Sequence, residues 1–380
     1  MSTFDPELLR RWPDIESPEL KAYDGADLLL LDTAAERGLL PGAPGSVVVV
    51  NDHYGALTLG TIAQGAGAVR VHQDALSGES AVDANAARWE HALGHYAHLP
   101  LGAELFGGAG LVLLQLPRSL DALEEIADLV ARHASPDVVV LAGGRVKHMA
   151  LAMNSVLERY FDHVGASRAE RKSRVLTATG LRAAAALPPP RFPVASEYDV
   201  GLPQPLRLRG FGATFGGAKL DPGTRFLLPF LKGARDAASA VDLGCGNGTI
   251  AAYLALTRPE LRVLACDQSA SAVASTRATA AANGVGDRVD AARDDALSAL
   301  PAASRQLVVL NPPFHVGNAV HAGIALKLIG DAGRVLAPGG ELWCVWNSHL
   351  GYRRHLQRLV GPTRQVARNP KFTVTVSTRP

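Results

Sequence analysis

The sequence predicts an α/β protein of two tandem domains, each a mostly parallel sheet with helices on both faces. Three observations carry that prediction. The chain has 380 residues, too long for most single cores, and 47% of them are apolar. Short apolar runs alternate with helical stretches. Three landmarks recur in the same order in both halves.

In the second half the apolar runs lie at 240–243, 262–266, 307–310 and 341–346. Helical stretches at 270–283 and 319–336 lie between them. Short, nearly continuous apolar runs suit buried parallel strands, and ligands of such sheets sit at the C-terminal strand ends. The segment 372–376 alternates and reads as an added strand, antiparallel at the end of the sheet.

The first half repeats the rhythm. Residues 46–50, followed by Asn51-Asp52-His53-Tyr54-Gly55, parallel Val241-Asp242-Leu243-Gly244-Cys245-Gly246. Residues 69–74, then Ser80-Ala81-Val82, parallel 263–267 and Ser271-Ala272-Val273. Residues 111–117 parallel 307–313. An internal duplication explains three matches in one order. The first copy keeps only Gly55 of the later glycines, and Gln115-Leu116-Pro117-Arg118 stands where Asn311-Pro312-Pro313-Phe314 stands. It is therefore expected to keep the fold without catalysis and to serve as a substrate-binding surface. Between the copies, 183–193 closes a helix-like stretch. Pro188, Pro189 and Pro190 cannot continue a helix. The boundary is placed at Pro190, giving domains 1–190 and 191–380.

Composition narrows the classes. No apolar run is long enough to cross a bilayer, and the polar opening Met1-Ser2-Thr3-Phe4-Asp5-Pro6-Glu7 does not read as a secretion signal. A soluble cytoplasmic protein is expected. Three cysteines, Cys245, Cys266 and Cys344, make no disulfide framework, and no Cys/His cluster has zinc spacing, so no metal is expected. A net charge of +2 neither demands nor excludes a nucleic-acid partner.

Asp242-Leu243-Gly244-Cys245-Gly246-Asn247-Gly248-Thr249 ends a strand and opens a helix. Glycines let the backbone turn sharply and let a ligand lie against it. The spacing G-x-G-x-G differs from the dinucleotide fingerprint G-x-G-x-x-G. Asp242 before the turn suits an ammonium group better than a pyrophosphate. Asp267 ends the next strand, where a carboxylate accepts ribose hydroxyls. Asp294-Asp295 ends a third, with Asp295 placed to accept from an adenine amine. A solvated loop is the usual place for any one of these acids. Three at successive strand ends after a glycine turn point to S-adenosylmethionine.

Asn311-Pro312-Pro313-Phe314-His315 follows the buried run 307–310. Two prolines supply no N–H, so this corner offers only acceptors. The Asn311 side-chain oxygen and the Pro312 carbonyl can take both hydrogens of an –NH2 group, and Phe314 offers a ring face to a base. An exocyclic amine is a poor nucleophile because its lone pair is delocalised. Two acceptors favour the charge that grows on it during attack. His315 reads more readily as a positioning or surface residue than as a base.

With these residues in view, the second half from Phe215 to Phe372 resembles the small-domain guanine-N2 methyltransferases of bacterial ribosomal RNA. The glycine loop, Asn311-Pro312-Pro313-Phe314-His315 and an upstream Leu220-Asp221-Pro222-Gly223-Thr224 carry the resemblance. That last element is similar to the family's F-S-x-x-x-L-D-x-G segment, with Phe215-Gly216 in place of Phe-Ser. An inactive methyltransferase-like domain before the active one also fits. The resemblance implies two class I, Rossmann-like methyltransferase domains, S-adenosylmethionine as donor and N2-methylguanosine as product. It implies catalytic Asn311, Pro312, Pro313 and Phe314. Around the cofactor it implies Asp242, Gly244, Gly246, Asp267 and Asp295, with Cys245, Asn247, Gln268, Asp294, Asn311, Leu220, Asp221 and Thr224 completing the shell. Chain length, Asn347-Ser348-His349-Leu350-Gly351-Tyr352 and Asn369-Pro370-Lys371-Phe372 favour the type acting on 23S RNA of the large subunit over the 16S type.

The expected partner is ribosomal RNA, presenting an unpaired or flipped guanine to a monomer or weak dimer. Candidate phosphate contacts are Arg168, Arg171, Lys172, Arg174, Arg207, Arg209, Arg353, Arg354 and Arg358, with Arg145, Lys147 and His148 lining a groove. Asn-Pro-Pro-aromatic also serves adenine N6, cytosine N4 and the glutamine amide of release factors. Those substrates, and a non-catalytic RNA assembly factor, stay open at this point.

Overall fold

The computed structural model describes residues 4–14, 16–40, 46–89, 92–313 and 319–380. The chain divides into two compact units, Met1–Arg191 and Phe192–Pro380.

The first unit runs α1 (Gly25–Glu36), β1 (Val47–Val50), α2 (Ala56–Ala63), β2 (Val69–His72), α3 (Leu76–Arg88), β3 (Tyr96–His98) and α4 (Ala103–Phe106). It continues with β4 (Leu111–Gln115), α5 (Leu120–His133), β5 (Val139–Arg145), α6 (Leu151–Leu157), β6 (Phe161–Ala166) and β7 (Ser173–Leu181). The seven strands lie in the order β3-β2-β1-β4-β5-β7-β6. The first five run parallel, and β7 pairs antiparallel with both β5 and β6. All four valines of β1 are buried, as a central strand covered on both faces requires.

The second unit opens with a hairpin, β8 (Val194–Tyr198) and β9 (Leu206–Gly210), then α7 (Pro222–Leu227), β10 (Ser239–Leu243) and α8 (Thr249–Thr257). Next come β11 (Arg262–Asp267), α9 (Ala270–Ala282), β12 (Val289–Arg293), β13 (Arg305–Leu310) and α10 (Ala319–Val335). It closes with β14 (Leu336–Asn347), α11 (Arg353–Leu359), β15 (Thr363–Arg368) and β16 (Phe372–Thr378). The main sheet is ordered β12-β11-β10-β13-β14-β16-β15, the same arrangement as in the first unit. Two identical seven-strand windings in one chain are what duplication of a Rossmann-like domain produces.

Strand alternation splits the second core in two. Leu307 and Val309 pack on one face with Ile250, Tyr253 and Leu254 of α8. Val308 and Leu310 pack on the other with Ala325, Ile329 and Ala332 of α10. The hairpin is tied to α9 by a polar stripe at helical spacing. Ser275 Oγ, Thr279 Oγ1 and Asn283 Oδ1 accept from the backbone N–H groups of Phe211, Arg209 and Arg207 at 3.0, 2.9 and 3.0 Å.

Two readings of the sequence need correction. The stretch before the prolines is strand β7, and only one 3-10 turn forms, at Ala184–Ala186. Val175, Leu176 and Ala178 bury against the core, so tertiary burial outweighs the helical preference of the alanines that follow. The added strand β16 is not outermost either. It lies between β14 and β15, and the polar Thr363-Arg364-Gln365 edge strand was not legible as a strand.

Candidate active site

The glycine loop leaves the C-terminal end of β10. Gly244, Gly246 and Gly248 have φ of 72°, 53° and 77°, a left-handed conformation that side-chain-bearing residues rarely adopt. They are glycines for different reasons. A Cβ on Gly248 would lie 2.8 Å from Thr276 Cα, whereas one on Gly244 or Gly246 would meet no atom of the described residues within 4 Å. The first allows α8 to pack on α9; the other two leave bare backbone at the strand end. Thr276 is a partner that sequence reasoning missed, and a lone helix threonine carries no signal for it.

Asp267 at the end of β11 braces this loop. Its Oδ2 accepts from Gly246 N at 3.1 Å and its Oδ1 from Ser269 N at 3.0 Å. Asp242 is fully buried. Its Oδ2 accepts from Ala251 N at 3.0 Å, while its Oδ1 is buried with no hydrogen-bond partner among the described residues. Burial, with Asp267 adding a like charge, pushes its pKa up to about 7. A buried carboxylate oxygen lacking a donor fits an ammonium group.

Several candidate residues are engaged by neighbours of their own. Asn247 Nδ2 donates to Gly217 O and Lys219 O, both at 2.9 Å, and its Oδ1 accepts from Thr249 Oγ1 at 2.7 Å. The Cys245 thiol is buried, which raises its pKa, and receives the Thr276 hydroxyl at 3.2 Å. Leu220 belongs to the core. Half-buried Gln268 accepts from Arg293 Nε through its main-chain carbonyl at 3.1 Å. Asp294 accepts from Ser298 Oγ at 2.5 Å and Ala299 N at 3.2 Å. Asp295 is ion-paired with Lys327 at 2.5 Å.

Asn311 stands one residue beyond Leu310, which pairs in register with Leu243, the residue before Gly244. The acceptor corner and the glycine loop therefore leave adjacent strands side by side. Asn311 Nδ2 donates to Asp221 Oδ1 at 2.9 Å and to Thr224 Oγ1 at 2.8 Å. A carboxylate only accepts, so Asp221 determines which end of the amide faces it. Asn311 Oδ1 is left buried with no partner among the described residues. Pro312 is buried and Pro313 exposed. Phe314 and His315 lie outside the described residues.

A family model described as methyltransferase small domain matches residues 206–376, and one described as RLMG N-terminal domain matches residues 2–181. A relative from Pseudomonas paraeruginosa named ribosomal RNA large subunit methyltransferase G is 38% identical over 373 residues, covering 96% of this chain and 96% of its own. One of the same name from Streptomyces avermitilis is 35% identical over 382 residues, covering 96% of this chain and 95% of its own. The chain belongs to the ribosomal RNA large subunit methyltransferase G family. Its fold is shared with the solved structure of T. thermophilus 16S rRNA N2 G1207 methyltransferase (RsmC) in complex with AdoMet and guanosine. That match has a TM-score of 0.75 at 21% identity and covers 96% of this chain and 97% of the other.

In this member of the methyltransferase G family the first unit fills its own loop with side chains. Asn51, Asp52 and His53 follow β1 where Gly244, Cys245 and Gly246 follow β10. Asn51 sits at φ 65°, and a cavity of about 190 Å³ beside it is lined by Asn51, His53, Tyr54, Gln73 and Asp74. The counterpart of the acceptor corner is basic. Desolvation and then Lys147, Arg118 and Arg145 hold the His148 imidazole below its ordinary pKa, against the opposite pull of Asp24. Sequence reading paired Arg145 with Lys147 and His148 but missed Arg118, which arrives from the end of a different strand. Among the other candidate cations, Arg171 pairs with Asp32 at 2.6 Å and Arg207 with Glu197 at 3.3 Å. Among the described residues no helix is long and apolar enough to cross a membrane, and no group of three acids, histidines or cysteines could hold a metal ion.

Proposed function

We propose that this chain methylates the exocyclic N2 amine of a guanine in 23S ribosomal RNA, with S-adenosylmethionine as donor. The observation that carries the reading is Asn311: its amide hydrogens are engaged by Asp221 and Thr224, and its oxygen, beside the glycine loop, has no partner among the described residues. Relatives 35–38% identical over nearly the whole chain carry the large-subunit name, which favours 23S over 16S RNA.

Asp242 holds the ammonium end of the donor, Gly244 and Gly246 let it lie on bare backbone, and Asp267 takes the ribose hydroxyls. Asp294, Asp295 and Gln268 border the adenine end. Cys245, Asn247 and Leu220 shape the loop from behind. When bound, the donor supplies a sulfonium methyl: the amine lone pair forms the new N–C bond as the C–S pair returns to sulfur. Asn311 Oδ1 and the Pro312 carbonyl accept the two amine hydrogens, orient the lone pair and stabilise its developing charge. One proton then passes to solvent. Pro313 stiffens the corner, and Phe314 stacks on the base.

The guanine is unpaired or flipped, because its N2 cannot reach a sulfonium within a duplex. Arg118, Arg145, Lys147 and His148 of the first unit hold RNA phosphates, and the protein acts in the cytoplasm. The test is labelled methyl transfer to unmodified 23S RNA, 16S RNA and release factor, with nucleoside mass spectrometry of the product. N2-methylguanosine in 23S RNA is expected. Label in release factor or N6-methyladenine would refute the assignment, and label confined to 16S RNA would refute the subunit choice.

A further inference from the structure

We infer that Asp221 and Thr224 are positioning residues that determine the orientation of Asn311 and through it the rate of methyl transfer. The inference rests on the reading of Asn311 as amine acceptor. An asparagine amide can present either end, and only its oxygen serves an –NH2 substrate. Asp221 removes the ambiguity. Its Oδ1 accepts Thr224 N at 2.7 Å and Asn311 Nδ2 at 2.9 Å, so reversing the amide would set oxygen against oxygen with no hydrogen between them. Thr224 Oγ1 accepts from the same Nδ2 at 2.8 Å. A hydroxyl could equally donate, so Thr224 reinforces the choice that the carboxylate makes.

The tie is rigid at both ends. Asp221 caps α7, Pro222 begins the helix, and Thr224 is buried. A Cβ on Gly223 would lie 3.2 Å from Phe372 Cε1, so the helix start is packed closely against β16. Asn311 is held by β13. Among the described residues, the Asp221 carboxylate accepts from Asn311 and from the helix start, and the Thr224 hydroxyl accepts from Asn311.

The experiment compares Asp221→Asn, Thr224→Val and Thr224→Ser in the wild-type and Asn311→Ala backgrounds, using the full chain and unmodified 23S RNA. Asp221→Asn restores the ambiguity, since its own amide can reverse. With Asn311 intact, Asp221→Asn and Thr224→Val are expected to lower kcat about 10- to 100-fold, with KM for S-adenosylmethionine within about twofold. Thr224→Ser should recover turnover to within about threefold, and each change should add less than about twofold in the Asn311→Ala background. Turnover within twofold of wild type for both Asp221→Asn and Thr224→Val would overturn the inference. So would the same further loss with and without Asn311, the signature of a merely structural tie. Full activity in Asn311→Ala alone would instead remove the acceptor reading beneath it.

Discussion

Gln115, at the end of β4, donates its side-chain amide to Asp27 of α1 at 2.5 Å. In the second unit Asn311, one residue past the equivalent strand, donates to Asp221 and Thr224 at the start of α7. The same joint between a helix start and a strand end survives in both copies. It holds a buried acid in one and an acceptor corner in the other.

Asp27 gives the first unit a pH-dependent stability. Burial first, then the charge of Asp52, pushes its pKa up to about 8. The unfolded value is about 4, so between these values the folded state binds a proton that the unfolded state releases, and stability falls as pH rises. The slope reaches at most about 1.4 kcal/mol per pH unit. Asp27→Asn should flatten this fall across about pH 5–8, read by hydrogen exchange of the α1 and β4 amides. An unchanged slope would place the titration elsewhere.

Cofactor affinity should rise with pH through the Asp242 transition. With a pKa of about 7, the carboxylate is largely protonated at pH 6 and must ionise to hold an ammonium group. Affinity for S-adenosylmethionine should therefore drop about fivefold from pH 7 to pH 6. Asp242→Asn should bind weakly with no such drop over that range. Calorimetry at the two pH values decides.

The three loop glycines should separate by consequence. Gly248→Ala drives a Cβ toward Thr276 at φ 77°, and should cost about 1–3 kcal/mol of stability. Gly246→Ala meets no atom of the described residues, so it should cost only the roughly 1 kcal/mol of its left-handed φ of 53° and lower cofactor affinity besides. Thermal unfolding with and without S-adenosylmethionine distinguishes the two.

The basic cluster should bind RNA without touching the cofactor. Replacing Arg118, Arg145 and Lys147 together by alanine removes three cations that act on His148. The slope of log affinity for 23S RNA against log salt should fall by about two, since each single-strand phosphate contact contributes about 0.7. Affinity for S-adenosylmethionine should stay unchanged. A salt slope equal to wild type would remove this surface from the RNA path.

Much of the architecture was legible because the buried strands are short valine- and leucine-rich runs and the glycine loop has few alternative readings. The duplication was legible for the same reason: β1, β4, β10 and β13 carry the same apolar signature. What escaped was polar or borrowed its partners. Strand β15 is an edge strand with exposed Arg364 and Gln365, so no apolar pattern announces it. The stripe Ser275, Thr279 and Asn283 reads as an unremarkable alanine-rich helix until β9 is laid along it.

The sequence alone determined which residue types stand at the strand ends: bare glycines, carboxylates and a proline-stiffened asparagine. Those identities limit the chemistry, because they specify which atoms donate and which accept. Only the tertiary structure decided which way each group faces. Asn311 lies 90 residues from Asp221 and 87 from Thr224, so no local pattern could orient its amide. Packing of α7 against β14 and β16 brings them together, and the electrostatics of a carboxylate against an amide then leaves one oxygen with no partner among the described residues.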